Sequence, residues 1–201
     1  MADPIRYLPD DLYPTSMEMN LEFNNTIYQS PYDNSEQIER RPGERWVLKF
    51  SYDDLEQDQA KDLQAFLVSL KGVVGKFYAK DFAFFERRGS ISGRPTVDGS
   101  DNVGNICKIK DCPTNRVIFK PGDYVKISDR LHMITVEVRS DSLGKAQLEF
   151  QPRMLRAPAN NASVVYDDFS VICRLKDDKQ GKRSSRDMSN GFSFECLEVV
   201  N

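Results

Sequence analysis

The sequence is poor in the residues and segments that most enzymes and membrane proteins require. It has one histidine, one tryptophan and four cysteines in 201 residues. It lacks a run of about 18 apolar residues, the length that crosses a bilayer as a helix. Its start, Met1-Ala2-Asp3-Pro4, lacks the basic and apolar regions of a secretion signal. These absences predict a protein made in a cytoplasm and not inserted into a membrane.

The single histidine and the acidic pairs form no pattern that a known catalytic mechanism needs. The sequence fixes no nucleophile or carboxylate beside His132, so this residue is predicted to be structural or on the surface. The acidic pairs adjoin turns and helix starts, where capping and solubility explain them; they are Asp10-Asp11, Asp53-Asp54, Asp167-Asp168 and Asp177-Asp178. No glycine-rich phosphate loop is present. We predict no catalytic residue and no enzymatic activity.

The cysteines are too few and too irregularly spaced for a disulfide framework, so reduced thiols are expected. Cys107 and Cys112 lack a second pair of ligands at zinc-binding spacing. Cys173 and Cys196 fall within apolar strand patterns and are predicted to be small core residues. No metal and no cofactor are predicted.

The charge of the chain is close to neutral, with a formal net value of −3. Non-specific binding of nucleic acid depends on a cationic surface that releases counterions, so tight binding of nucleic acid is not expected. Two basic clusters, Arg87-Arg88 and the run from Arg183 to Arg186, lie in polar stretches. They are predicted to be solvated, with salt bridges to a neighbouring copy as the alternative.

Aromatic residues are abundant in the first 88 residues; they include Tyr28, Tyr32, Trp46, Tyr52, Phe77, Tyr78, Phe82, Phe84 and Phe85. We expect most of them to fill a core. An interface is the alternative for the others, because large amphipathic rings bury much area at a modest entropic cost.

Alternating apolar residues predict strands in the first 52 residues. Met17 to Phe23 places Met17, Met19, Leu21 and Phe23 on a buried side, and Trp46 to Tyr52 alternates in the same way. Asn24-Asn25 is predicted to be a tight turn, followed by a short strand from Thr26 to Ser30. Another extended segment begins at Gln37, and Pro42-Gly43 is predicted to turn the chain.

One amphipathic helix follows. Leu63, Phe66, Leu67 and Leu70 recur at helical spacing, Asp53 or Asp54 is the predicted N-cap, and Gly72 is the predicted stop. A strand over Gly75 to Ala79 is expected next.

The middle of the chain predicts a meander of short antiparallel strands. Pro121-Gly122-Asp123 is a turn signal, and Tyr124 to Ile127 is rich in β-forming residues. His132 to Arg139 alternates with one apolar face, and Ala146 to Phe150 alternates until Pro152 stops it. This segment predicts a small β-barrel.

Two polar stretches divide the chain into domains. Glycines and prolines are frequent from Gly89 to Gly104, and Asp177 to Gly191 is polar throughout. The last strand, Phe192 to Val199, needs partners that the first 88 residues supply. The predicted fold is mainly β with one helix: a β-sandwich-like host domain of residues 1–88 and 177–201, interrupted by a β-barrel at 89–176.

The order of these elements resembles the siphovirus distal tail protein (Dit) family, from bacteriophages with long non-contractile tails. In the host part the resemblance rests on the strand from Trp46 to Tyr52, the helix around Leu63 to Leu67 and the segment from Gly72 to Phe77. In the insert it rests on Lys120 to Ile127, Leu131 to Val138 and Leu148 to Pro158, with a Gly-Asp-aromatic opening and a Pro-x-x-Leu-Arg-x-Pro exit.

This resemblance implies a structural protein of the virion, located at the tail tip and made in the cytoplasm of a host bacterium. It implies a ring, hexameric in the family, that joins the tail tube protein to the tail tip or baseplate proteins. The strands from Met17 to Phe50 and the helix at 55–71 would form the ring. The insert, similar to an oligonucleotide/oligosaccharide-binding (OB) barrel, would project outward.

Two other classes of function are alternatives. A glycan-binding module would use exposed rings such as Tyr124 and Tyr166 to stack on sugars. A hydrolase of cell-wall polymers would need two carboxylates across a cleft, and the chain offers no persuasive pair.

Overall fold

The computed structural model of the protein describes residues 4–9, 12–82, 87–179, 182–184 and 190–200. Within these ranges the chain is mainly β with a single α-helix, which confirms the predicted fold class. The chain divides into two compact units, Met1–Phe77 with Cys173–Asn201 (unit 1) and Tyr78–Ile172 (unit 2). The bounds predicted for independently folded domains, at 88/89 and 176/177, stay a prediction.

Unit 1 is built on a seven-stranded sheet with one helix. Its elements are β1 (Arg6–Tyr7), β2 (Ser16–Gln29), β3 (Glu36–Leu55), α1 (Gln57–Ser69), a 3-10 turn (Gly72–Val74), β4 (Lys76–Lys80), β13 (Ser170–Leu175), β14 (Lys182–Ser184) and β15 (Asn190–Glu198). The strand order is β1-β4-β13-β15-β3-β2, and β14 pairs with β15. The predicted β-sandwich fits only in part, since a sandwich has two packed sheets and all seven strands of unit 1 belong to one sheet.

The last strand belongs to the sheet formed by the opening third of the chain, as predicted. In the antiparallel pairing of β15 with β3, Phe194 lies opposite Phe50 and Cys196 opposite Leu48. The rings of Phe50 and Phe194 stack with their centroids 5.2 Å apart. Cys173 and Cys196 are fully buried, which confirms that they are core residues.

The helix α1 buries the stripe that its sequence predicted. Leu63 and Leu67 are buried, and the Phe66 ring meets Phe77 of β4 edge-on at 5.6 Å. The predicted N-cap is wrong: β3 runs through Asp53 and Asp54, and the helix is capped at Glu56. The Glu56 backbone N–H donates to Gln59 Oε1 at 3.2 Å, a local bond that closes the first turn.

Unit 2 is a nearly closed, barrel-like sheet. Its strands are β5 (Thr96–Val97), β6 (Gly104–Lys110), β7 (Val117–Phe119), β8 (Tyr124–Ile127), β9 (Arg130–Ile134), β10 (Val138–Arg139), β11 (Ala146–Met154) and β12 (Val164–Val165). Six of them follow the order β12-β8-β9-β11-β6-β5, and β7 pairs with β10. The two ends meet at a bridge between Thr96 and Ser163, so few strand edges stay open.

The Pro-Gly-Asp motif makes the turn that was predicted before β8, and its aspartate has a second role. Gly122 has a φ of 93°, a conformation that glycine adopts without strain. The buried carboxylate of Asp123 accepts hydrogen bonds from the backbone N–H groups of Lys120, Arg88 and Gly89 at 2.8, 3.0 and 3.1 Å. Asp123 therefore joins the start of unit 2 to the turn before β8.

Two strand predictions in unit 2 need correction. The strand expected from His132 to Arg139 is divided into β9 and β10. Thr135 still donates from its backbone N–H and its hydroxyl to the Glu149 carbonyl of β11, whereas Val138 and Arg139 pair with β7. Pro152 does not stop β11, which continues to Met154 with a cis peptide bond between Gln151 and Pro152.

Candidate functional site: an exposed β-hairpin arm

Strands β2 and β3 form one long hairpin whose outer part leaves the core. Neither predicted turn exists: β2 continues through Asn24-Asn25, and β3 continues through Pro42-Gly43. The chain reverses between them, where the Ser30 N–H donates to the Ser35 carbonyl at 2.9 Å. We call residues 23–43 the arm.

A bulge separates the arm from the core. Glu22 pairs with Arg45 and Asn24 pairs with Arg41, so the single residue between them on β2 faces three residues on β3. Gly43 accommodates the bulge with a φ of 124°. At the bulge β3 has two more residues than β2. Because side chains alternate with a period of two, the residues that face the core side before the bulge are followed by residues that face the same side beyond it.

The core-facing side of the hairpin therefore continues into the arm, where it carries Phe23 and the Ile27–Ile38 pair with the polar pair Asn25–Arg40 between them. In the core part, Leu48 and Phe50 are fully buried. In the arm, Ile27 lies opposite Ile38, and these side chains are 62% and 59% exposed. Phe23 at the bulge is 47% exposed, so its predicted burial was wrong. Three large apolar side chains thus face solvent on one side of an ordered ribbon.

The opposite face of the arm is polar and internally bonded. Tyr28 donates from its hydroxyl to Glu39 Oε2 at 3.3 Å, and the Arg41 guanidinium donates to the same carboxylate oxygen at 2.9 Å. Arg41 also donates to the Tyr28 hydroxyl at 3.3 Å. Exposed ion pairs of this kind add little stability, but this one fixes the orientation of the Tyr28 ring.

The tip of the arm is an ordered loop that presents an aromatic side chain. Tyr32 is 97% exposed. Beside it, Asp33 Oδ1 accepts hydrogen bonds from the Ser35 N–H at 3.1 Å and from the Ser35 hydroxyl at 2.8 Å. Hydrogen bonds from the side chains of Ser30 and Ser35 lower the pKa of Asp33 to about 2, so the tip is negatively charged at neutral pH.

The single histidine lies buried in the barrel. His132 is buried in β9, its Nδ1 lies 2.7 Å from the carbonyl oxygen of Pro152, and its ring centroid lies 4.4 Å from that of Phe150. Burial lowers the pKa of His132 to about 3, so the ring is neutral at physiological pH.

The other candidate residues form no metal-holding cluster within the described part of the chain. Cys107 and Cys112 are buried, and burial raises the pKa of their thiols to about 12 and about 11. No group of three or more His, Cys, Asp or Glu side chains among the described residues is placed to hold a metal ion. Asp168 forms an ion pair with Lys126 at 2.8 Å, and Asp178 accepts the Val73 N–H at 3.0 Å. Asp10 and Asp11 lie outside the described residues.

The rings proposed for sugar stacking are occupied by protein contacts. Tyr124 is buried, not exposed as expected; it packs against Phe169 at 6.0 Å, and burial raises its pKa to about 12. Tyr166 has the Arg87 guanidinium over its ring at 4.6 Å and donates to the Gly93 carbonyl at 2.8 Å. Arg87 thus has an intramolecular role. The side chains from Arg183 to Arg186 are not among those that the structure describes.

The aromatic residues of unit 1 divide as expected into core and surface. Trp46, Tyr52 and Phe77 are buried, whereas Tyr28 and Tyr32 are exposed on the arm. Phe84 and Phe85 lie outside the described residues.

The two isoleucines of the arm were missed because Asn24-Asn25 was interpreted as a turn. The turn-rich run from Ser30 to Ser35, between two β-rich segments, was the signal that could have identified the hairpin.

No protein-family model and no curated protein sequence matches the chain. The one helix among the described residues is neither long nor apolar enough to span a membrane.

Proposed function

We propose that this protein is a structural component of a bacteriophage virion. It would form a ring, a hexamer by family resemblance, at the distal end of the tail tube and join the tube to the tail tip or baseplate. The observation that carries the proposal is the arm, an ordered ribbon on which Phe23, Ile27 and Ile38 are 47%, 62% and 59% exposed within the described part of the chain.

The physical argument starts from the cost of exposing the arm. Apolar side chains in water are unfavourable by about 25 cal/mol for each Å² of apolar surface. Phe23, Ile27 and Ile38 lie on one face of a ribbon that is already ordered by strand pairing. Ile27 and Ile38 form an exposed apolar pair, and Phe23 lies on the same face beyond the pair Asn25–Arg40. Exposed apolar side chains on an ordered element are typical of a protein interface, where large apolar and aromatic side chains form the buried centre.

A closed ring needs two different complementary patches on each subunit, because each copy contacts the next head to tail. The arm supplies one patch. The outer side of α1 and the 3-10 turn supplies a second apolar surface, where Val68 and Val74 are 71% and 66% exposed. We propose that the arm of one copy contacts this surface on the next.

A ring at this position would surround a channel through which DNA passes. The formal net charge of −3 favours a ring that does not retain the phosphates. Retention of DNA on the assembled ring at moderate salt would count against this part of the proposal.

The decisive experiment is to locate the chain in the particle. An antibody against the protein, or a small tag on the exposed tip, should mark the junction between tube and tip in electron micrographs of the phage that encodes it. The purified chain at high concentration should give rings in negative stain. Labelling elsewhere on the particle would overturn the proposal.

Carbohydrate binding by the barrel is the alternative that the sequence left open. The two rings named for it, Tyr124 and Tyr166, are engaged within unit 2, so no described residue now favours it. A glycan array with the purified protein tests it directly.

A further inference from the structure

The outer edge of β2 is long and unprotected. Strand β2 ends the order of the unit 1 sheet, and among the described residues only β3 pairs with it. Natural proteins protect edge strands with charged side chains, especially lysine, with proline or with bulges. The segment Ser16 to Glu22, which we call the edge segment, has no lysine and no proline, its charged residues are Glu18 and Glu22, and the bulge lies beyond it.

On the solvent-facing side of this sheet, charged side chains form rows across the strands. The sign of the charge alternates from one strand to the next, and the last charge of each row lies on the edge segment. In one row Lys176 of the loop after β13 contacts Glu195 at 2.8 Å, Glu195 pairs in register with Lys49, and Lys49 contacts Glu18 at 3.5 Å. In a second row Arg45 contacts Glu22 at 3.0 Å. Both rows end at a carboxylate on the edge, Glu18 or Glu22, and each carboxylate has a second oxygen that can accept a hydrogen bond from another donor.

The core-facing side of the edge segment is incompletely covered. Met17, Met19 and Leu21 are half-buried, whereas their partners on β3 are buried. An added strand would place its own alternate side chains beside these three and complete their burial.

We propose that the edge segment binds an extended segment of a partner protein by strand addition. The partner segment would carry Lys or Arg opposite Glu18 and Glu22, four residues apart, with apolar β-branched residues at the inward positions. A second copy of this chain offers either β1, which is only two residues long, or its own edge segment, whose charged residues are again Glu18 and Glu22 and therefore supply no cation to pair with them. This inference does not depend on the proposed ring.

The test uses the full chain and a synthetic peptide, Lys-Val-Thr-Val-Lys-Val-Thr, blocked at both ends and labelled with a fluorophore. Fluorescence anisotropy at low salt should show saturable binding. The peptide with both lysines replaced by glutamate should bind about tenfold more weakly, because opposite charges attract across strands and like charges repel. Hydrogen exchange should slow at backbone amides of the edge segment.

Two controls separate strand addition from simple charge attraction. A lysine peptide N-methylated at alternate amides keeps its charge but loses strand hydrogen bonds, and it should not bind. The double variant Glu18→Lys with Glu22→Lys should prefer the glutamate peptide, and circular dichroism would check its fold. Equal binding of the lysine, glutamate and N-methylated peptides by the unmodified protein would overturn the proposal. Self-association that depends on Glu18 and Glu22 would also overturn it, because the occupant would then be a second copy.

Discussion

The barrel of unit 2 and the arm of unit 1 use the same alternation of apolar and polar residues with opposite results. In the barrel, Ile134 and Phe150 lie opposite each other and are at most 1% exposed. In the arm, Ile27 and Ile38 lie opposite each other and are more than half exposed. Alternation therefore indicates a strand with two unlike faces, but it does not indicate whether the same chain or a partner covers the apolar face.

The largest effect should come from removing the carboxylate that organises the entry to the barrel. Asp123→Ala leaves three backbone N–H groups without their acceptor. We expect unit 2 to lose about 3–5 kcal/mol of stability, because each buried N–H group left without an acceptor costs about 1–3 kcal/mol. Hydrogen exchange at the amides of β8 and β9 measures this loss.

The matched control for that change is Asp101→Ala, which removes an exposed carboxylate from the same unit. It should change stability by less than about 0.5 kcal/mol. Similar effects of the two substitutions would show that Asp123 does not organise the barrel.

A smaller effect should follow from the buried histidine as pH falls. The pKa of His132 is about 3 in the folded chain and 6.5 in its ordinary state, so the unfolded chain binds the extra proton first. The stabilising contribution of neutral His132 should therefore be fully present above pH 6.5 and decrease by about 1.4 kcal/mol for each pH unit below it, which gives a loss of about 2 kcal/mol by pH 5. Urea unfolding at pH 7, 6 and 5 measures the slope, because carboxylates titrate mainly below this window.

The control is His132→Gln, which cannot take up the proton. This variant should be less stable at pH 7, since the contact with Phe150 changes, but its stability should depend less on pH between 7 and 5. A profile as steep as that of the unmodified protein would mean that another group causes the acid sensitivity.

The return of the last strand to the opening sheet was predictable from the sequence, whereas the length of the hairpin was not. The return of Phe192 to Glu198 to the opening sheet followed from a face that needed partners, and the structure confirms it. Asn24-Asn25 and Pro42-Gly43 have strong local preferences for turns. Their position in strands is set by the ladder from Ser16↔Ser51 to Gln29↔Glu36, a cooperative interaction that no local window contains.

The candidate site was missed for the same physical reason. The predicted turn at Asn24-Asn25 placed Ile27 in a short separate strand, so the prediction did not include its pairing with Ile38. In contrast, the structural role of His132 was predictable, because no catalytic partner adjoined it in the sequence and its strand was apolar.

The smallest effect on folding is expected in the arm, and this expectation distinguishes the arm from the barrel most directly. Replacing both isoleucines, Ile27→Ser with Ile38→Ser, should change the free energy of unfolding by less than about 1 kcal/mol, since each side chain is exposed in the single chain. Urea unfolding followed by the fluorescence of Trp46, the only tryptophan, measures this in unit 1. The same variant should fail to form rings in negative stain, while the polar-face control Thr26→Ser with Gln37→Ser should form them. A loss of more than about 2 kcal/mol in the single chain would mean that the arm packs against its own subunit, as a core strand does.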